Sequence, residues 1–211
     1  MRIGIIGAGK IGSTLAKLWV RAGHDVRLAS RHPGDLQPLI AQLGSRASGG
    51  TPADAAASGE VVLLALPVKA IPDLGRDLAP ALKGKAVLDA GNAYEQRDGQ
   101  VARQAIGHSQ GSAGWAAELF PGARWVKAFN TVNFKVLESE AHRGGDRLGI
   151  PLASNDEKAL EIAVQLVRDA GFDPVIVGGL ARGKEFEPDT PPYNTGKSGR
   201  ELRRLWRLES R

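Results

Sequence analysis

The segment "GAGKIG" places Gly7, Gly9 and Gly12 in the pattern GxGxxG, directly after an apolar run and at the start of a helical periodicity. In that setting the first glycine allows a tight turn, the second lets backbone approach a pyrophosphate, and the third lets helix and strand pack closely. The residues from Ala8 to Gly12, with Lys10 and Ile11 opening the helix, offer backbone N–H groups and a partial positive charge to phosphate oxygens. Where an NAD site usually offers a carboxylate, about 20 residues further on, this chain has "LASRHP" (28–33). A carboxylate would repel the extra phosphate of NADP. Arg31 instead presents a planar fork able to hold a phosphate at two points, and Ser30 adds a hydroxyl. The pair therefore selects NADP over NAD. The plainer alternatives are a glycine turn without a ligand and a solvent-facing loop arginine, and the flanking elements weigh against the first.

The elements that must position these residues follow from periodicity. "RIGII" (2–6) predicts the first strand, and Ile11, Leu15, Leu18 and Ala22 the helix after it. "DVRLAS" (25–30) predicts a second strand, with a helix behind it that stops at Gly44, and a weakly written third strand lies in "GSRAS" (44–48). Thr51-Pro52 has the form of an N-cap with proline at the first helical position. "VVLLAL" (61–66) lacks polar alternation, as expected where both faces of a parallel sheet are covered. "AVLDAGN" (86–92), a helix near 112–119 and "WVKAFNT" (125–131) complete a Rossmann-type, doubly wound parallel α/β sheet. Beyond it come "LGIPLAS" (148–154), a helix bearing Leu160, Ala163, Val164 and Val167, and "PVIVG" (174–178). The polar stretch "ESEAHRGGDR" divides residues 1–137, a nucleotide-binding domain, from residues 138–211, a small C-terminal α/β unit. Ligands of such sheets sit beyond the carboxyl ends of the strands. That rule adds Leu66, Pro67, Asn92, the backbone around Ala128, and Asn130 to the candidate site.

Composition sets the outer limits. The 211 residues contain no cysteine, which excludes disulfides, thiol catalysis and thiolate metal sites. The net charge of +5 is concentrated at the end, where six arginines and lysines in 197–211 face Glu201 and Glu209, for a local +4. That distribution reads as a solvated or subunit-facing helix and not as a nucleic-acid surface. The N-terminus lacks the pattern of a signal peptide, and no window approaches the roughly 20 apolar residues of a membrane span. The expectation is a cytoplasmic protein without nucleic-acid or membrane partners.

The segments "MRIGIIGAGKIGSTLAKLWVRAGHDVRLASR", "VVLLALP", "VKAFNTV" and "DAGFDPVIVGGLARGKEFEP" resemble, in order and over nearly the whole chain, the NADPH-dependent oxidoreductases that exchange hydride with the 8-hydroxy-5-deazaflavin coenzyme F-420. Domains of that family also feed electrons to flavin in membrane metalloreductases. The resemblance implies a Rossmann domain with a small C-terminal α/β domain, an acceptor cleft between them, and a homodimer. It implies that Ala8 to Gly12 hold the pyrophosphate, Ser30 and Arg31 the 2′-phosphate, Leu66 and Pro67 the middle of the cofactor, and Lys127 to Asn130 the nicotinamide. The family often carries a further lysine after the Ser-Arg pair. This chain has "HPGDLQ" there, so phosphate binding rests more heavily on Arg31.

Hydride transfer between two aromatic carriers needs alignment and exclusion of water more than an acid or base. The four histidines are scattered without metal-ligand spacing, and no metal site is expected. Glu185 and Glu187 read as a charged turn before Pro188. Lys127 interrupts an apolar strand. It and Tyr94 are the groups able to protonate a reduced carbonyl, but an exposed face on an edge strand accounts for Lys127 equally well. No catalytic residue is assigned. The leading reading is an NADP-dependent oxidoreductase acting on a deazaflavin, FMN or FAD. A reductase of small imines or ketones is a second, against which stands the long helical domain such enzymes append. A non-catalytic NADP sensor is a third.

Overall fold

Why Ile3, Ile5, Val61 and Leu63 pack on one side of a sheet while Ile6, Val62 and Leu64 pack on the other follows from the two-residue period of a strand. In the computed structural model, which describes residues 1–208, eight strands form one sheet: β1 (Arg2–Ile6), β2 (Asp25–Ala29), β3 (Ala47–Gly50), β4 (Val61–Leu64), β5 (Ala86–Asp89), β6 (Arg124–Lys127), β7 (Gly149–Ser154) and β8 (Asp173–Gly178). Their spatial order is β3-β2-β1-β4-β5-β6-β7-β8, with β1 to β6 parallel. The chain reverses its direction of growth between β1 and β4, which opens a crevice at their carboxyl ends.

Ten helices cover the faces: α1 (Lys10–Arg21), α2 (Gln37–Leu43), α3 (Pro52–Ser58), α4 (Ile71–Leu82), α5 (Glu95–Asp98), α6 (Gln100–Ile106), α7 (Gly111–Glu118), α8 (Phe134–Glu140), α9 (Glu157–Asp169) and α10 (Gly199–Leu205). One face buries Leu15 and Trp19 of α1 against Leu166 and Val167 of α9, and the Trp19 indole donates to the Leu166 carbonyl. The opposite face packs α4, α6 and α7 around Phe120 and Trp125. Thr51 caps α3 as expected, and Asp54 completes a capping box. Four helices, α4, α5, α6 and α8, escape the periodicity reading. Three of them are seven residues or fewer, and α4 contains Pro80, which suppresses a helical signal.

The C-terminal part expected to follow residue 137 joins the same sheet. β7 pairs antiparallel with β6, and β8 runs parallel to β7. Two consequences follow. β6 is an interior strand, so the expectation of an exposed edge position for Lys127 fails; its side chain is 1% exposed. The loop after β8 also returns to the carboxyl ends of the parallel strands, where Asn194 N–H donates to the Thr131 carbonyl. In the basic tail, Arg203 holds Asp173 at two points (2.6 and 2.7 Å) and Arg200 pairs with Asp146, while Leu202 is buried. Glu209 and Arg211 of the same tail lie outside the described residues.

Candidate active site

Gly7 has φ 108, and a Cβ there would stand 2.4 Å from the Ala65 carbonyl oxygen; at Gly12 it would stand 2.0 Å from the Gly7 oxygen. Both positions are closed to any side chain by backbone. Gly9 differs, since a Cβ there would meet nothing within 4 Å. Its bare face opens outward, as needed where a phosphate must approach the chain. Gly9 is also the N-cap of α1 and supplies no side-chain acceptor, so N–H groups of the first turn remain free for a ligand. The Ser13 hydroxyl donates to the Ala8 carbonyl (2.9 Å) and steadies the turn. These residues fit a dinucleotide pyrophosphate.

From this turn a cleft of about 420 Å³ runs along the strand ends. Of the residues expected at the site, Gly9, Lys10, Ile11, Leu66, Pro67, Asn92 and Asn130 line it. Gly7, Ala8 and Gly12 shape the turn behind it. Ala128 is wholly buried one residue behind the wall, with its N–H donating to the Asp89 carbonyl, and it reaches the cleft only through Phe129 and Asn130. Ser30 and Arg31 stand apart from the cleft, just past the end of β2. The Ser30 hydroxyl accepts from the His32 N–H (3.1 Å), and Arg31 is exposed and makes no ion pair among the described residues. That leaves its guanidinium available.

The far end of the cleft is built around "KAFNT". Phe129 is wholly buried with φ 61, a left-handed conformation costly for an aromatic residue. Its ring packs edge-on against Trp19 (5.9 Å) and Phe172 (6.5 Å), and that burial holds the turn. The turn aims Asn130 into the cleft. Asn130 Nδ2 donates to Asn92 Oδ1 (3.1 Å) and the Phe186 carbonyl (3.0 Å), while Asn92 Nδ2 donates back to the Asn130 carbonyl (2.8 Å). The Asn130 Oδ1 atom is buried without a protein partner.

Beneath this wall lies a charged network. Lys127 and Asp89 are direct neighbours in the β5–β6 register, and Nζ stands 2.9 Å from Asp89 Oδ2. Nζ also donates to the Gly91 carbonyl and to Ser112 Oγ, while Asp89 Oδ1 accepts from the Gly91 N–H. Both backbone groups of Gly91 are thus held by the pair, which sets the position of Asn92. Ser112 in turn donates, through N–H and hydroxyl, to Glu187 Oε1. Glu187 is therefore a buried-network acceptor, whereas Glu185 pairs with Arg182, which holds its carboxyl below the usual range. At Asp98, burial pushes the carboxyl up, but the Arg97 side chain and the Tyr94 N–H outweigh it and bring the pKa down.

Reading by strand ends does not find Arg97, Asn133, Phe134, Tyr193 or Asn194, all of which line the cleft. Tyr193 and Asn194 belong to the loop "EPDTPPYNTG", whose composition announces a turn and nothing about where it lands. Among the described residues no three His, Asp or Glu side chains are grouped to hold a metal, and no helix is long and apolar enough to cross a membrane.

Sheet order, glycine turn and cleft together define a Rossmann-type dinucleotide-binding protein. Residues 2–93 match the model of the family described as NADP oxidoreductase coenzyme F420-dependent. It is 29% identical to the F420-dependent NADP reductase of Methanothermobacter thermautotrophicus over 90% of this chain and 87% of that one. It is 30% identical to metalloreductase STEAP3 of Rattus norvegicus over 88% of this chain, but spans only 36% of that protein. This chain thus corresponds to about a third of the length of the metalloreductase it matches. The solved structure of a hypothetical protein from Sinorhizobium meliloti is 31% identical, with a TM-score of 0.82 over 94% of this chain and 95% of that one.

Proposed function

We propose that this protein transfers hydride between NADPH and a deazaflavin of the F-420 type or a flavin, FMN or FAD, acting as a homodimer in the cytoplasm. The observation that carries the reading is a cleft along the strand ends that begins at the free N–H groups of α1 and ends at Asn92 and Asn130. When bound, the dinucleotide supplies the hydride; the chain's own residues align and shield it. Gly7 to Gly12 receive the pyrophosphate, Ser30 and Arg31 the 2′-phosphate, Leu66 and Pro67 the middle, and Asn92 with the backbone at Ala128 and Asn130 the reactive end. Residues 138–211 act as the acceptor-side half, because Tyr193 and Asn194 close the cleft from the C-terminal part.

The similarity to the F420-dependent NADP reductase of Methanothermobacter thermautotrophicus supports a deazaflavin acceptor first. Mixing the purified protein with NADPH and, separately, the deazaflavin, FMN or FAD while following absorbance of both partners tests this. Turnover is expected with at least one carrier, the deazaflavin first; none with any carrier overturns the reading. Sedimentation of the same sample is expected at twice the chain mass, and a monomer at micromolar concentration removes the homodimer.

A further inference from the structure

The chain contains two tyrosines, and both lie in the cleft with their hydroxyls hydrogen-bonded to each other. They arrive from distant parts of the chain: Tyr94 precedes α5, and Tyr193 sits in the proline-rich loop before α10. Asn92 Nδ2 donates one hydrogen to the Asn130 carbonyl and the other to the Tyr193 oxygen (3.4 Å). With its oxygen accepting from Asn92, Tyr193 keeps a lone pair and its own hydrogen for Tyr94, so the pair can be ordered in either direction. In each arrangement one hydroxyl hydrogen of the pair is left for the cleft. The Arg97 guanidinium lies 4.9 Å from the centroid of the Tyr94 ring. Lys127, the other candidate donor, has its three N–H bonds taken by Asp89, Gly91 and Ser112, and it does not line this cleft.

We propose that Tyr94 is the proton donor of the site and that Tyr193 restores its proton, a role resting on the hydride-transfer reading above. Reduction of a deazaflavin, flavin, imine or carbonyl needs one hydride and one proton. The hydride leaves the C–H bond of NADPH and forms a new C–H bond in a deazaflavin, imine or carbonyl, or the N–H bond at the central ring nitrogen of a flavin, and the electron pair displaced onto the acceptor's nitrogen or oxygen takes the proton as the Tyr94 O–H bond breaks. NADP is released oxidised. Tyr94 regains a proton from Tyr193, which recovers one from water at the cleft mouth. The groups facing the pair are Arg97 over the Tyr94 ring, Asp98 accepting from the Tyr94 N–H, and Asp189 near Tyr193. Burial first, and the Tyr94 hydroxyl second, push the Tyr193 phenol up.

Because there are only two tyrosines, carbon-13 labelling at the hydroxyl-bearing ring carbon gives two NMR signals, assigned by Y94F and Y193F. In a pH titration of the free protein, the Tyr193 signal is expected to move only above the ordinary phenol range. In turnover of NADPH with the carrier that reacts, Tyr94→Phe is expected to lower kcat about 100-fold or more with an unchanged Kd for NADPH, and Tyr193→Phe to lower it less. Tyr193 ionising in the ordinary phenol range, or Tyr94→Phe retaining full kcat, overturns the proposal. Failure of the hydride-transfer reading shows instead in the unmutated protein, which would then turn over no carrier while the Tyr193 titration is still read.

Discussion

Replacing Lys127 by methionine is expected to lower the stability of the fold by about 3–5 kcal/mol, the cost of leaving a buried carboxylate without its partner. Asp89 and Lys127 are 6% and 1% exposed, so neither solvent nor salt can take over the lost interaction. The loss extends beyond the pair. Gly91 is released at its carbonyl, Ser112 loses a donor, and Asn92 is no longer held in register with Asn130. Replacing both charges, Lys127→Met with Asp89→Leu, is expected to recover most of the stability, because the cost lies in the orphaned charge and not in the absence of the pair. Cofactor binding should recover less, since the Gly91 carbonyl stays unheld. Urea unfolding midpoints of the three variants and the parent measure this. A single variant within about 1 kcal/mol of the parent would show that water reaches Asp89 and that the network is not closed.

Arg31→Ala is expected to weaken NADPH about 10- to 100-fold, equivalent to one charge-assisted contact of roughly 1.5–3 kcal/mol, and to leave NADH almost unchanged. The reasoning rests on position and freedom. Arg31 follows Ser30 at the carboxyl end of β2, one strand from the glycine turn, and no carboxylate claims it among the described residues. No lysine follows in "HPGDLQ" to substitute for it. Isothermal titration with both dinucleotides separates the outcomes. Equal losses for NADPH and NADH would mean that Arg31 supports the loop and does not read the 2′-phosphate.

Much of the frame is legible in the residues because its causes are local. The three glycines of the turn lie within six positions of one another, the cap at Thr51 rests on Asp54 three positions on, and the buried strands are uninterrupted apolar runs. Short helices such as α5 and α6 are invisible to the same reasoning, because too few turns are present to show a face. The polar wall of the cleft is half legible. Asn92 and Asn130 lie at strand ends, where the sheet rule finds them, while Tyr193 and Asn194 come from a loop whose path no spacing predicts.

By itself, then, the sequence determined the nucleotide-binding turn, the choice of Arg31 over a carboxylate and the alternation of strands with helices, since each is written in residues close together along the chain. Only the tertiary structure decided the rest. The antiparallel docking of β7 on β6 turned Lys127 from an edge residue into a buried ion, because a charge can enter a core only where the register supplies its partner. The return of the last loop brought Tyr193 against Tyr94 from 99 positions away. Contacts over such distances depend on how whole elements pack, and no local pattern of residues encodes them.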